Sequence, residues 1–304
     1  MNELVIQAES LHKVYGAAVA VDDISFEVAR GEIFGIIGPN GAGKTTTTEM
    51  LEGLRNPDGG RVRVLGLDPQ TQGDELRQRI GVQLQQAVLP DKLKVWEALD
   101  LFAAFYRHAA DWHPLLSEWG LSEKRHTAFG HLSGGQKQRL FIALALINEP
   151  EVVFLDELTT GLDPQARHET WDHIRAIRQR GATVILVTHF MDEAERLCDR
   201  IAIVDHGRIV ALDTPQNLVH GLQAENRVRF GVHNGFDPAW LQTVSGVSRA
   251  VREGDEVIVY GSGPLMARVA AALAERGVTP PDLRAEQPNL EDVFLALTGR
   301  KIRE

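Results

Sequence analysis

The sequence predicts an α/β fold with a mixed central sheet, an antiparallel β edge and an inserted helical block, and three observations predict it. A strand-like apolar run, Ile33-Phe34-Gly35-Ile36-Ile37, feeds a glycine-rich turn, Gly38-Pro39-Asn40-Gly41-Ala42-Gly43-Lys44-Thr45-Thr46, and then a helix-like run. Two more continuous apolar stretches, Val152–Leu155 and Val184–Val187, end in polar residues, as central parallel strands covered on both faces do. From Val95 onward the apolar spacing turns helical before the second of these strands, and composition changes again near residues 220–226.

In order, residues 4–9 and 22–29 read as strands around a Tyr15-Gly16 turn, an antiparallel opening. Asn56-Pro57-Asp58-Gly59-Gly60 is a turn signal, and Arg61–Leu65 alternates as a half-exposed strand should. Residues 74–80 read as a short helix and Val82–Gln85 as a buried strand or turn. The periodicity predicts helix from Val95 to about Arg107 and mainly helix over 112–150, giving a helical subdomain at about residues 86–150. Ile201–Val204 and Ile209–Ala211 flank Gly207 as a hairpin. The expected organisation is one domain over residues 1–221 and a small α+β domain over 222–304. In the latter, strands are expected at Val228–Val232, Ser248–Arg252 and Glu256–Tyr260, and helices at Pro264–Arg276 and Leu290–Leu297. Asn289, with Asp292 three positions on, is expected to cap the last helix.

Of 304 residues, 32 are Lys or Arg and 42 Asp or Glu, a formal charge of −10, which argues against a nucleic-acid partner. Residues 221–304 are nearly balanced, with 10 basic and 11 acidic side chains, so the acidity sits in the first part. Cys198 is the only cysteine, which excludes an intramolecular disulfide and suits a reducing cytosol; it reads as a small buried residue. The N-terminus lacks the pattern of a secretory signal, and no apolar run approaches the roughly 20 residues a membrane helix needs. If the chain serves a membrane, another polypeptide crosses it.

Gly38–Thr45 fits the phosphate-loop pattern G-x-x-x-x-G-K-[ST], between a strand and a helix as its mechanism requires. The glycines let backbone N–H groups converge on a polyphosphate, and the following helix presents its unpaired N–H groups to the same anion. Lys44 is expected to reach the β- and γ-phosphates and Thr45 to ligate Mg²⁺. Asp156-Glu157 ends an apolar strand on the edge where open α/β sheets bind ligands. Asp156 suits the metal shell, and Glu157 can take the proton of an attacking water. Leu132-Ser133-Gly134-Gly135-Gln136 arises by chance in about a few chains per ten thousand at average composition. Ser133 and Gln136 form a capping box, and Gly134 and Gly135 let a phosphate approach the helix start. His189 ends the Val184–Val187 strand on the same edge as Glu157, where its ring N–H can meet a γ-phosphate.

With these residues in family order over positions 4 to about 220, the sequence resembles the ATP-binding cassette (ABC) ATPases, a branch of the P-loop NTPases. The resemblance implies that Tyr15 stacks on adenine and that Gly38 to Thr46, including Pro39, Asn40, Gly41, Ala42 and Gly43, form the Walker A loop. It makes Ser133 to Gln136 the signature motif, Asp156-Glu157 the Walker B pair, Gly161-Leu162-Asp163 the D-loop and His189 the switch histidine. Gln85 matches the Q-loop glutamine, and hence a metal and catalytic role, when Ile80-Gly81 is aligned with the family's entry; Gln83 and Gln86 offer neighbouring registers. Leu158 replaces a customary proline, and Lys94 a customary helix-capping threonine.

The resemblance implies ATP and Mg²⁺ as cofactors and a second cassette as partner, most simply a homodimer with two ATP molecules between the copies. It further implies a separate transmembrane permease docked on the helical insert, holding this chain peripherally on the cytoplasmic face. Pro288–Phe294 resembles the ending of cassettes from multidrug-type and related ABC-2 exporters, where the extra domain serves assembly and regulation. The rivals are a soluble cassette acting on ribosomes or DNA, whose paired cassettes, coiled coils or basic surfaces are not visible, and a non-hydrolysing nucleotide-dependent regulator, against which Lys44, Glu157 and His189 speak. A GTPase is disfavoured because no Asn-Lys-x-Asp motif occurs.

Overall fold

A computed structural model describes residues 3–83, 88–160, 162–222, 225–232 and 235–299. The chain divides into two compact units, Met1–Pro215 and Gln216–Lys301, each built on its own sheets.

The first unit opens with β1 (Leu4–Tyr15) and β2 (Ala18–Ala29), an antiparallel hairpin about the Tyr15-Gly16 turn. Then come β3 (Ile33–Ile37), α1 (Lys44–Leu51), β4 (Gly59–Val64), α2 (Gly73–Arg77) and β5 (Ile80–Gln83). The helical insert holds α3 (Val95–Ala103), α4 (His113–Glu118) and α5 (Gly134–Ala145). The chain returns through β6 (Val152–Asp156), α6 (Pro164–Gln179), β7 (Thr183–Thr188), α7 (Met191–Leu197), β8 (Arg200–Asp205) and β9 (Arg208–Asp213). β4 pairs with β1 to give a small antiparallel sheet, β2-β1-β4. The main sheet runs β5-β6-β7-β3-β8-β9, parallel throughout except for β9.

Every residue of β3, β6 and β7 is buried, which is why those strands read as unbroken apolar runs. One core joins the two sheets. Ile6, Leu11, Val21 and Ile24 of the antiparallel layer meet Phe34, Ile36, Phe154 and Ile185 of the parallel one, with Met50 and Leu51 of α1 between. Phe26 and Phe34 stack across the layers, ring centres 5.2 Å apart. Parallel register sets the functional edge: Ile37 lies opposite Thr188, and Asp156 opposite Val187. The residues following β3, β6 and β7 therefore emerge side by side.

The second unit contains α8 (Pro215–Gly221), β10 (Asn226–Gly231), β11 (Val247–Glu253), β12 (Glu256–Gly261), α9 (Leu265–Glu275), β13 (Arg284–Glu286) and α10 (Leu290–Thr298). Its four strands form one antiparallel sheet, β11-β12-β10-β13. Val228, Phe230, Val257 and Val259 pack on Leu265, Val269 and Leu273 of α9. Arg229 and Arg284 both bond Glu256 at 2.9 Å. Asn289 caps α10 as expected, with reciprocal 3.1 Å bonds to Asp292.

The structure corrects several sequence expectations. β1 and β2 are longer than expected, and Ile80 opens β5 instead of closing a helix, drawn into the sheet opposite Val152. α3 stops at Ala103; the Arg107 N–H is taken by the Gln78 side chain at 2.8 Å. Residues 112–150 are less helical than the spacing suggests. α4 is closed by Gly120 at φ 59° with the Leu121 N–H on Leu116 O at 2.7 Å, and short 3₁₀ turns follow before α5. Among the described residues no helix is long and apolar enough to cross a membrane.

Candidate nucleotide site

The loop from Gly38 to Gly43 links β3 to α1, and its glycines are dictated by packing as well as by an expected ligand. A Cβ on Gly38 would lie 2.1 Å from Val204 O. One on Gly43, at φ 103°, would lie 2.3 Å from Ala20 O. The loop is thereby pressed against the β2 and β8 backbones, and Ala42 is buried within it. Gly43 caps α1, whose first N–H groups have no partner within the helix.

Lys44 is buried, and its ammonium bonds Gly38 O at 2.9 Å and Pro39 O at 3.1 Å. Burial pulls its pKa down, while the charges of Glu157 and Asp156 oppose that shift. Those bonds hold the charge inside the loop.

Asp156, the last residue of β6, is buried, with its pKa raised to about 6 by burial and then by the charge of Glu157. Its Oδ2 accepts the Thr45 hydroxyl at 3.4 Å, and Oδ1 is buried without a partner. A carboxylate with an orphaned oxygen beside a threonine hydroxyl is an oxygen donor set that suits a hard divalent cation. The Asp156 N–H donates to Gln83 Oε1 at 3.2 Å. Gln83 thereby braces the acidic strand from within β5. Gln85 and Gln86 lie outside the described residues.

Glu157 leaves the strand in the left-handed region, φ 49°, while its N–H continues the ladder to Val187 O at 2.8 Å. His189 Nδ1 stands 3.1 Å from Glu157 Oε1. Leu158, where the family's proline is customary, is fully buried. The structure therefore gathers Lys44, Thr45, Asp156, Glu157 and His189 around one sheet edge.

The other expected residues sit apart from that cluster. Ser133 and Gln136 form the expected reciprocal cap of α5: Ser133 Oγ accepts the Gln136 N–H at 3.3 Å, and Gln136 Oε1 accepts the Ser133 N–H at 3.0 Å. Among the described residues a Cβ on Gly134 would touch nothing within 4 Å, and one on Gly135 would meet Leu162 at 3.8 Å. Asp163 caps α6 by accepting the Ala166 N–H at 2.9 Å; Gly161 lies outside the described residues. Tyr15 is 41% exposed with the Arg55 guanidinium 5.1 Å from its ring centre. Two carboxylates absent from the sequence reading, Glu52 and Glu193, are buried near the site. Nothing in the local sequence separates either from an exposed carboxylate.

Residues 21–160 match the family model described as ABC transporter. The chain is 38% identical over 312 residues to the Nod factor export ATP-binding protein I of Sinorhizobium fredii, covering 100% of this chain and 88% of that protein. It is 40% identical over 311 residues to the protein of the same name from Burkholderia pseudomallei, covering 99% of each. A solved ATP-binding subunit of an ABC transporter superposes with TM-score 0.66 at 31% identity, over 71% of this chain and 92% of that one. The dimeric structure of a bacterial ABC transporter cassette gives 0.62 at 27% identity, over 69% and 98%. The chain belongs to the ABC transporter ATP-binding proteins, the ATP-hydrolysing subunits of such transporters.

Proposed function

We propose that this chain is the ATP-hydrolysing motor of an exporter whose membrane-spanning part is a separate permease, and that two copies of the cassette work together. The observation that carries the reading is the 3.1 Å contact between Glu157 and His189 on the edge that also holds Lys44, Thr45 and Asp156. In this reading the loop N–H groups and Lys44 bind the phosphates, and Glu157 takes the proton of the attacking water. His189 orients Glu157 and donates its other ring N–H to the γ-phosphate. Tyr15 stacks on the adenine. Thr45, Asp156 and Gln85 would hold Mg²⁺, which when bound neutralises developing charge on the phosphates.

Gly134 and Gly135 support the pairing of cassettes. Among the described residues no neighbour requires them to lack a side chain, and the close approach they permit fits a nucleotide held on a second copy together with Ser133, Gln136 and Asp163. Export follows the relatives, which are named for the export of Nod factor. The permease places the chain on the cytoplasmic face, and the C-terminal unit, residues 222–304 in the sequence reading, serves assembly or regulation.

Phosphate release by the purified chain, with Glu157→Gln as the inactive control, tests the motor. Size measurement of Glu157→Gln with and without Mg-ATP tests the pairing. The expected result is a monomer that becomes a dimer with nucleotide; a monomer in both conditions counts against the paired arrangement.

A further inference from the structure

His189 meets Glu157 through one ring nitrogen, at 3.1 Å. One such contact fixes where an edge of the imidazole lies but leaves the ring able to turn about it. A second contact, to the face of the ring, sets its plane. Phe190 supplies that contact: its ring centre is 4.2 Å from that of His189, with the two planes 37° apart. A phenyl face suits the task because it is broad and carries no donor or acceptor to compete for the imidazole nitrogens.

Phe190 is itself held by its neighbours in the fold. Its N–H donates to Thr188 Oγ1 at 3.0 Å, so the hydroxyl of the residue before His189 pins the residue after it. Its carbonyl accepts the Ala194 N–H at 3.2 Å as α7 begins. The Arg167 guanidinium lies 4.3 Å from the phenyl centre, close enough for attraction between cation and ring, and 3.7 Å from the Asp192 carboxylate. Arg167 stands in the first turn of α6, with its N–H on the carbonyl of the capping Asp163 at 3.0 Å. A continuous run of contacts therefore joins the start of α6, through Arg167 and Phe190, to His189. We propose that Phe190 is a positioning residue for ATP hydrolysis: it sets the plane of the His189 ring, and Arg167 holds it there from α6. The inference rests on the role proposed above for His189.

The test is phosphate release against ATP concentration for wild type, Phe190→Leu and Phe190→Tyr, with a thermal melt of each. Phe190→Leu keeps an apolar side chain and loses the flat face. It is expected to lower kcat about tenfold with KM for ATP changed less than about twofold, the pattern of a misplaced catalytic group beside an intact binding loop. Phe190→Tyr keeps the ring and is expected to bring kcat back to within about threefold of wild type. In a His189→Ala background, Phe190→Leu is expected to cost less than about a further twofold, since the imidazole it orients is gone. Wild-type kcat in Phe190→Leu overturns the proposal. So does a Phe190→Tyr as slow as Phe190→Leu, or a loss that multiplies in the His189→Ala background. Should Phe190→Leu not fold, Arg167→Gln decides: it is expected to lower kcat about threefold with KM for ATP unchanged, and wild-type kcat there overturns the proposal. An inactive wild-type chain would instead sink the ATPase reading itself.

Discussion

His189 Nδ1 lies 3.1 Å from Glu157 Oε1, although the two are 32 positions apart in the chain. Parallel pairing of β6 with β7 brings them together: Asp156 sits opposite Val187, and the Glu157 N–H bonds Val187 O. The left-handed turn at Glu157 then takes the chain out of the strand direction. Such a conformation costs a non-glycine residue about 1 kcal/mol or more, which the surrounding packing must hold. If this pair performs the hydrolysis, Glu157→Gln should lower kcat roughly 10²–10⁴-fold while ATP still binds. His189→Ala should lower kcat in the same direction with KM little changed. Steady-state phosphate release together with fluorescent-nucleotide binding checks both, and an active Glu157→Gln would remove Glu157 as the base.

The glycines make opposite predictions at two positions. Gly43→Ala places a methyl 2.3 Å from Ala20 O at a φ of 103°, so the loop must move. It is expected to destabilise the fold by about 2 kcal/mol or more and to abolish ATP binding. Gly134→Ala meets nothing within 4 Å among the described residues and stands in the first turn of α5. Its melting temperature should equal or slightly exceed wild type. If the proposed second copy presents its nucleotide to α5, turnover and nucleotide-driven pairing should nevertheless fall. Unchanged turnover in Gly134→Ala would place the α5 helix start away from any phosphate.

Glu52 predicts a pH dependence of stability. It is buried at the end of α1 with Oε2 unpartnered, and burial, with Asp156 and Glu49 adding to it, raises its pKa from 4.5 to about 8. A carboxyl whose folded pKa exceeds its unfolded value binds more protons folded than unfolded between the two values. Stability therefore falls as pH rises from about 4.5 towards 8. Asp156, raised to about 6, acts in the same direction over the lower part of that window. Glu52→Gln, neutral at every pH, should flatten the profile and add about 2 kcal/mol at pH 8 with little change at pH 5. Urea unfolding at the two pH values measures it, and equal effects at both would exclude burial of the charge as the cause.

The motif residues were legible because phosphate and metal chemistry demand fixed residue types at fixed spacing within one short stretch. β3, β6 and β7 were legible because both their faces are covered. Glu52 and Glu193 were not. Each is polar and is buried by partners far away in the chain, and nothing local separates Glu193 from the exposed Asp192 beside it. β1 and β2 were read short because irregularities in their pairing, with Ser10 and Asp23 in left-handed conformations, break the alternation. β13 is a three-residue strand, Arg284-Ala285-Glu286, too short to show a pattern and placed by its pairing with β10.

Lys94 offers a prediction free of catalysis. It stands at the N-cap of α3 with extended backbone, and its N–H donates to Glu97 Oε2 at 2.9 Å. That is one half of a reciprocal cap. The other half needs a side-chain oxygen at the cap position, and an ammonium has none to offer. The lysine's own charge adds little: its ammonium is 4.0 Å from Glu97 on an exposed surface. Lys94→Thr supplies the missing acceptor, with Glu97 already in place. It is expected to stabilise the first unit by about 0.5–1 kcal/mol and to leave kcat and KM for ATP unchanged. Differential scanning calorimetry should show the gain as a rise in Tm of about 1–4 °C. A lower Tm would mean that the lysine makes some contact more valuable than a cap, and that the departure from the family's threonine is an adaptation instead of a tolerated loss.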